Sequence, residues 1–163
     1  MLKASPNIVT GTVTLKNDPR ILPFGKILRR AKINELPQLI NVLKGEMSII
    51  GPRPQDQRCF DVFRKEDKAE ILKVRPGLSG IGAIYFRDEE NLLHQAQGDM
   101  IQFYDTVISP YKGQLEAWWV KNQSLKNYFL LIVLTVWVLF FPKSRLPFTL
   151  RKDLPPPPQG LYL

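Results

Sequence analysis

Apolar residues recur along the chain with two spacings. Ile33, Leu36, Leu39, Ile40 and Leu43 fall three and four apart, which places them on one helical face, so a helix is predicted from Asn34. Asn34 suits the N-cap, Glu35 in the first turn complements the helix dipole, and Pro37 is tolerated where amides lack intrahelical partners. Gly45 is the expected stop. Residues 10–15 alternate enough for a short strand, a turn follows at Asn17-Asp18-Pro19, and Pro23 and Gly25 confine any helix in residues 21–30 to their second half. In the segment Gly51-Pro52-Arg53-Pro54, prolines on both sides restrict the backbone and present Arg53 in a defined direction. Residues 61–74 are predicted as a charged surface helix. Residues 75–82 form a second Gly/Pro-rich loop that leads into an apolar strand at 83–86. A helix is expected over 91–108, broken by Pro110, and then an amphipathic segment over 111–121 carrying Trp118 and Trp119.

Residues 128–141 hold no charge at all. As a helix they would be about 21 Å long, short of the roughly 30 Å of a bilayer's hydrocarbon core. Basic residues flank both sides, Lys121 and Lys126 before and Lys143, Arg145, Arg151 and Lys152 after, whereas a spanning helix usually shows a one-sided excess. Two readings compete: a membrane-associating helix with both ends on the cytoplasmic side, and a buried core helix. Residues 154–163, with four successive prolines, are expected to be a disordered or extended tail.

At 163 residues and 44% hydrophobic composition, the chain suits one small domain and excludes several independent ones. One cysteine, Cys59, and one histidine, His94, leave no intramolecular disulfide and no zinc cluster, which implies a reduced, cytosol-facing protein. The start of the chain lacks signal-peptide features. The net charge of +8 is divided as +6 over residues 1–32, −3 over 33–120 and +5 over 121–163. Basic ends of this kind meet phosphate, whether in nucleic acid, a lipid headgroup or a small substrate. No recognised nucleic-acid module accompanies them, so nucleic acid is not an expected partner.

Arg29, Arg30 and Lys32 stand directly before the helix predicted from Asn34, where free amides and the dipole favour an anion. Glu35 would repel a phosphate there unless a divalent cation lay between them, and a carboxylate plus diphosphate oxygens is a common way to hold magnesium. Arg53 and Arg75 could add bidentate guanidinium contacts to phosphate oxygens. The same residues also suit a plainer reading: Asn34 as a cap, Glu35 as a dipole partner, and the basic run as a solvated surface. Spacing alone leaves both open.

The continuous stretch 32–54, from Lys32-Ile33-Asn34-Glu35-Leu36-Pro37-Gln38 to Gly51-Pro52-Arg53-Pro54, closely resembles the signature of the bacterial sugar transferases, the polyprenyl-phosphate hexose-1-phosphate transferases. The resemblance extends through residues 16–20, 74–80, 110–112 and 120–124, and covers about residues 12–145. It implies transfer of a sugar-1-phosphate from a UDP-sugar to a membrane polyprenyl phosphate such as undecaprenyl phosphate. This step releases UMP, needs magnesium and begins surface-polysaccharide synthesis at the cytoplasmic face of the bacterial inner membrane. It further implies a covalent route in which an aspartate at position 34 attacks phosphorus, Glu35 holds the metal, and Arg29 and Arg53 bind phosphate. The implied fold is a mainly helical α+β domain of the monotopic type over 1–145, with a hydrophobic C-terminal membrane-associating helix and a Pro-rich tail over 146–163. A homodimer is admitted.

Two departures qualify the resemblance. Position 34 is Asn, whose neutral amide is a poor nucleophile. Four alternatives stay open: Glu35 as nucleophile, another carboxylate such as Asp88, direct transfer, or substrate binding without turnover. Family members usually begin with a membrane-embedded re-entrant helix and a basic motif ending near the position of Met1, so a fragment or an unusual short form is expected. Membrane attachment would then rest on the basic ends, Trp118, Trp119, Trp137 and residues 128–141.

Overall fold

The computed structural model describes residues 36–95, 99–150, 153–159 and 161. In chain order they form α1 (Gln38–Leu43), β1 (Ser48–Ile50), α2 (Gln57–Asp61), α3 (Lys65–Ile71), β2 (Gly77–Ser79), α4 (Ile81–Tyr85) and α5 (Glu89–Gln95). Then come α6 (Met100–Phe103), a π-helical turn (Tyr104–Ile108), α7 (Ser109–Lys121), α8 (Leu125–Phe140) and α9 (Leu146–Leu150). The architecture is mostly helical with one small sheet, as an α+β reading requires. β1 and β2 run parallel, with Ser48 opposite Gly77 and Ile50 opposite Ser79.

The core gathers around α7. Tyr111, Leu115, Ala117 and Trp119 are buried on it, and α3, α4 and the π turn pack against it. Residues 111–121 are therefore not amphipathic as expected: Lys112 and Glu116 are buried along with the apolar residues. Pro110 does not end the helical path either. It occupies the first turn of α7, where no intrahelical amide is needed, and the π turn immediately before it widens the backbone at the point where a proline ring would crowd the preceding turn.

Three other expectations are corrected. The helix predicted over 61–74 is shorter, α3 (Lys65–Ile71), because α2, capped by Asp56 accepting from the Cys59 amide, ends at Asp61 and Phe63 turns inward between α2 and α3. The expected strand at 83–86 lies largely in α4, where Ile81, Ile84 and Tyr85 are buried against α7 and α8; packing overrides the β-propensity of the short apolar run. The helix expected over 91–108 is divided among α5, α6 and the π turn.

The apolar segment is α8, at 16 residues about 24 Å long. Leu131 and Leu134 are buried on the core, and Thr135 Oγ1 meets Ser79 Oγ of β2 at 2.9 Å. Phe129, Val133, Val136, Trp137 and Phe140 form an exposed stripe on the same helix. The helix thus combines a packed face with an open apolar one, and no described helix is long and apolar enough to cross a membrane. The described residues of the tail, 153–159 and 161, pack on the domain. Tyr111 Oη donates to Pro155 O at 2.8 Å, and Leu161 is buried.

Candidate phosphate-binding junction

The two Gly/Pro-rich loops meet. Gly51 N donates to Ser79 O at 2.9 Å, and Gly77 N donates to Pro52 O at 2.8 Å, so the chain leaving β1 folds back over the start of β2. Backbone packs directly on backbone here: a Cβ on Gly77 would meet the amide nitrogen, carbonyl and Cα of Gly51, and one on Gly80 would meet Gly51 O. Only glycines allow this approach. Gly45, the expected helix stop, closes the turn after α1 at φ 77°, which favours a residue without Cβ.

Glu116 of α7 lies beneath this junction. Its side chain is buried, and Oε1 faces the Arg53 amide at 3.5 Å. Gly82 leaves room for the same carboxylate, since a Cβ there would press on Oε1 at 2.5 Å. Oε2 is buried without a hydrogen-bond partner. Burial pushes the Glu116 carboxyl up to about 7, against the lowering influence of the Arg53 amide, the Lys112 charge and the Gly82 amide. Lys112 itself pairs with Glu89 at 2.7 Å, with its ammonium over the Phe86 ring. Sequence reasoning missed Glu116. Its signal was a carboxylate between Leu115 and Ala117 in a segment rich in tryptophan.

Of the candidate site residues, Arg29, Arg30, Asn34 and Glu35 lie outside the described residues. Arg53 is at the junction, with its backbone held by Glu116. Arg75 directs its guanidinium toward the Gly45 turn, with Nη1 3.5 Å from where a Gly45 Cβ would stand. It lines a cavity of about 540 Å3 together with Ile50, Trp119, Gln123 and Ser124, whereas Arg53 is not part of that lining. Asp88 is exposed and accepts from Asn91 Nδ2 at 2.6 Å, as a turn residue before α5. The described residues contain no cluster of three His, Cys, Asp or Glu side chains that could hold a metal. Glu35 is one carboxylate, so a magnesium ion there would need phosphate oxygens and water to complete its shell.

Residues 1–142 match the bacterial sugar transferase family, spanning both loops of the junction and all of α8. The chain belongs to the bacterial sugar transferase family. Among its relatives, an undecaprenyl-phosphate galactose phosphotransferase of Salmonella typhimurium is 36% identical over 118 residues, which is 69% of this chain and 20% of that protein. The UDP-glucose:undecaprenyl-phosphate glucose-1-phosphate transferase of Escherichia coli is 38% identical over 99 residues, 59% of this chain and 21% of the relative. The exopolysaccharide production protein ExoY of Rhizobium meliloti is 41% identical over 80 residues, 48% and 34% of the two chains. This family member therefore spans between a fifth and a third of the length of these relatives. The junction formed by Gly51, Arg53, Gly77 and Gly80 falls within the matched region.

Proposed function

We propose that the chain transfers a sugar-1-phosphate from a UDP-sugar to undecaprenyl phosphate at the cytoplasmic face of the bacterial inner membrane, the step that begins surface-polysaccharide synthesis. The observation that carries this reading is the glycine-on-glycine junction. It fixes the backbone leading to Arg53, within the family's signature, in a rigid arrangement suited to holding a phosphate. In the reaction the bond between the sugar-bearing phosphorus and the bridging oxygen breaks, and UMP leaves with that oxygen and its electron pair. An acceptor phosphate oxygen then forms the new bond to phosphorus. Arg29, Arg30, Arg53 and Arg75 would bind phosphate groups, Glu35 would hold magnesium, and position 34 would stand at the reacting centre. Magnesium, when bound, would neutralise diphosphate charge.

The experiment is UMP release from a panel of UDP-sugars by the purified chain, with and without undecaprenyl phosphate and magnesium. Release that needs both is expected, and Glu35→Ala should lower it about a hundredfold. Unchanged magnesium-dependent turnover in that variant would remove Glu35 from its role. A second reading rests on Asn34, because a neutral amide cannot serve as the ionised nucleophile. On that reading the chain binds nucleotide-sugar or polyprenyl phosphate and assists a partner enzyme. Turnover by Asn34→Asp but not by the native chain, with calorimetric binding retained, would select it.

The exposed stripe of α8 is the proposed membrane contact. Because Leu131 and Leu134 are engaged on the domain, the helix would lie along the interface, with Phe129, Val133 and Phe140 in the lipid and Lys126 and Lys143 near headgroups. In flotation with anionic vesicles, the double change Val133→Glu and Phe140→Glu should abolish recovery in the lipid fraction while leaving the folded signal intact. Undiminished flotation would place the contact elsewhere.

A further inference from the structure

The Glu116 side chain is 1% exposed, and the Arg53 and Gly82 amides reach its carboxyl group, yet Oε2 is left without a hydrogen-bond partner. The space that a Gly80 side chain would fill is bordered by this Oε2, 3.4 Å from such a Cβ, and by Gly51 O. A carboxylate and a carbonyl can only accept, so closing the junction over an ionised Glu116 sets two acceptors about one unfilled space. A protonated carboxyl supplies the O–H donor that reconciles them. Burial favours that neutral form up to about pH 7.

Few charges act on this group. Lys112, four residues earlier on α7, is paired with Glu89 of α5 at 2.7 Å, and Arg53 stands on the loop after β1. α4 brings only the Tyr85 phenol, which donates to Pro147 O. On α3, Asp67 is taken up by Arg64 and Glu70 by Lys73, Lys68 reaches Asp61 O, and Lys65 and Glu66 are exposed. On the π turn, Asp105 pairs with Arg58, and burial raises the Tyr104 phenol and keeps it neutral. An ionised Glu116 therefore competes with a phosphate for the charge of Arg53.

We propose that Glu116 is a positioning residue that couples a proton to phosphate binding: its neutral form closes the glycine junction and leaves Arg53 to the phosphate, and its ionised form loosens the junction and draws on Arg53. The inference rests on the transfer reading only for the assignment of phosphate to Arg53. Because coupling between sites is reciprocal, phosphate binding brings a proton from solvent onto Glu116.

Binding is measured without turnover, so its result is separable from that of the UMP-release assay. UMP is titrated calorimetrically into the native chain and Glu116→Gln from about pH 5.5 to about 8.5. The second ionisation of a phosphate monoester, at about pH 6, is common to both titrations and cancels in the ratio of dissociation constants. The native-to-variant ratio should rise about tenfold across this range. Above neutral pH the native chain should also take up more protons per UMP than the variant, read from buffers of different ionisation enthalpy. Glu66→Gln, an exposed change on α3, should keep the native profile. If Glu116→Gln proves unfolded by circular dichroism, Glu89→Gln carries the test. Lys112, released from its partner, then favours the ionised Glu116 and should move the alkaline loss of UMP affinity down by about one pH unit. The proposal is overturned if the ratio stays flat, if proton uptake is equal in the two proteins, or if Glu66→Gln alters the profile as Glu116→Gln does. An unmoved profile in Glu89→Gln, or no UMP binding by the native chain, overturns it too. A flat ratio beside magnesium-dependent UMP release removes the coupling and leaves the transfer reading standing.

Discussion

Replacing Gly77 with alanine is expected to lower the melting temperature by about 10 °C, corresponding to about 3 kcal/mol or more for a chain of this size. The clash is with main chain. The added methyl would meet the Gly51 amide nitrogen and carbonyl and approach its Cα at 2.6 Å, and no rotamer change can relieve backbone. Separating the two loops would also strain the bonds from Gly77 N to Pro52 O and from Gly51 N to Ser79 O, which together hold β1 against β2. Because Arg53 follows directly on this crossing, the same change should weaken phosphate-dependent binding even at temperatures where the variant stays folded. Thermal denaturation with a parallel UMP titration checks both effects. A melting temperature within 2 °C of the native value, read against the roughly 2 to 4 °C that each kcal/mol produces at this size, would show that the two loops can separate at little cost.

The second large effect is expected at Glu116. Its carboxyl is raised to about 7 in the folded chain, chiefly by burial, against about 4.5 when exposed. The folded state therefore holds the proton more tightly than the unfolded state. The associated stability is fully present below pH 4.5, declines as the pH rises toward 7, and is lost above it. Across that window the native chain should lose about 3 kcal/mol from this group relative to a residue that does not titrate. Glu116→Gln keeps a carbonyl oxygen for the Arg53 amide and removes the charge. Its stability should match the native chain near pH 4.5 and exceed it by about 3 kcal/mol at pH 8. Urea unfolding of both proteins from pH 4.5 to 8 measures the difference directly. Parallel curves would show that Glu116 titrates as an ordinary surface carboxylate. Lys112, whose charge lowers the Glu116 carboxyl against the larger effect of burial, is itself paired with Glu89.

Local chemistry made some of the fold legible in advance. Gly45 was readable as a helix stop because its positive φ is a matter of one residue's sterics. The loop at 51–54 was readable because Pro restricts the backbone where it stands, whereas the stretch 75–82, read as a loop, holds β2 and the start of α4, since pairing with β1 is a tertiary contact. α4 was misread because Ala83, Ile84, Tyr85 and Phe86 favour a strand in isolation, while α7 and α8 offer a short helix more burial. The apolar face predicted for the first helix also came out differently. Leu36, Leu39, Ile40 and Leu43 are exposed, so correct periodicity did not reveal what the face would meet.

By itself, the sequence determined the family, the glycine-proline loop at 51–54, the basic ends and an apolar helix too short to span a bilayer, because each follows from neighbouring residue types or from an unbroken motif. Tertiary structure alone decided that Gly51 and Gly77 touch, that Glu116 is carried beneath Arg53, and that Arg75 and Trp119 line one cavity. These contacts join residues 26 to 63 positions apart along the chain. A carboxylate or an indole N–H has the same local chemistry whether it faces water or the core, so only packing could assign it a partner or leave it without one.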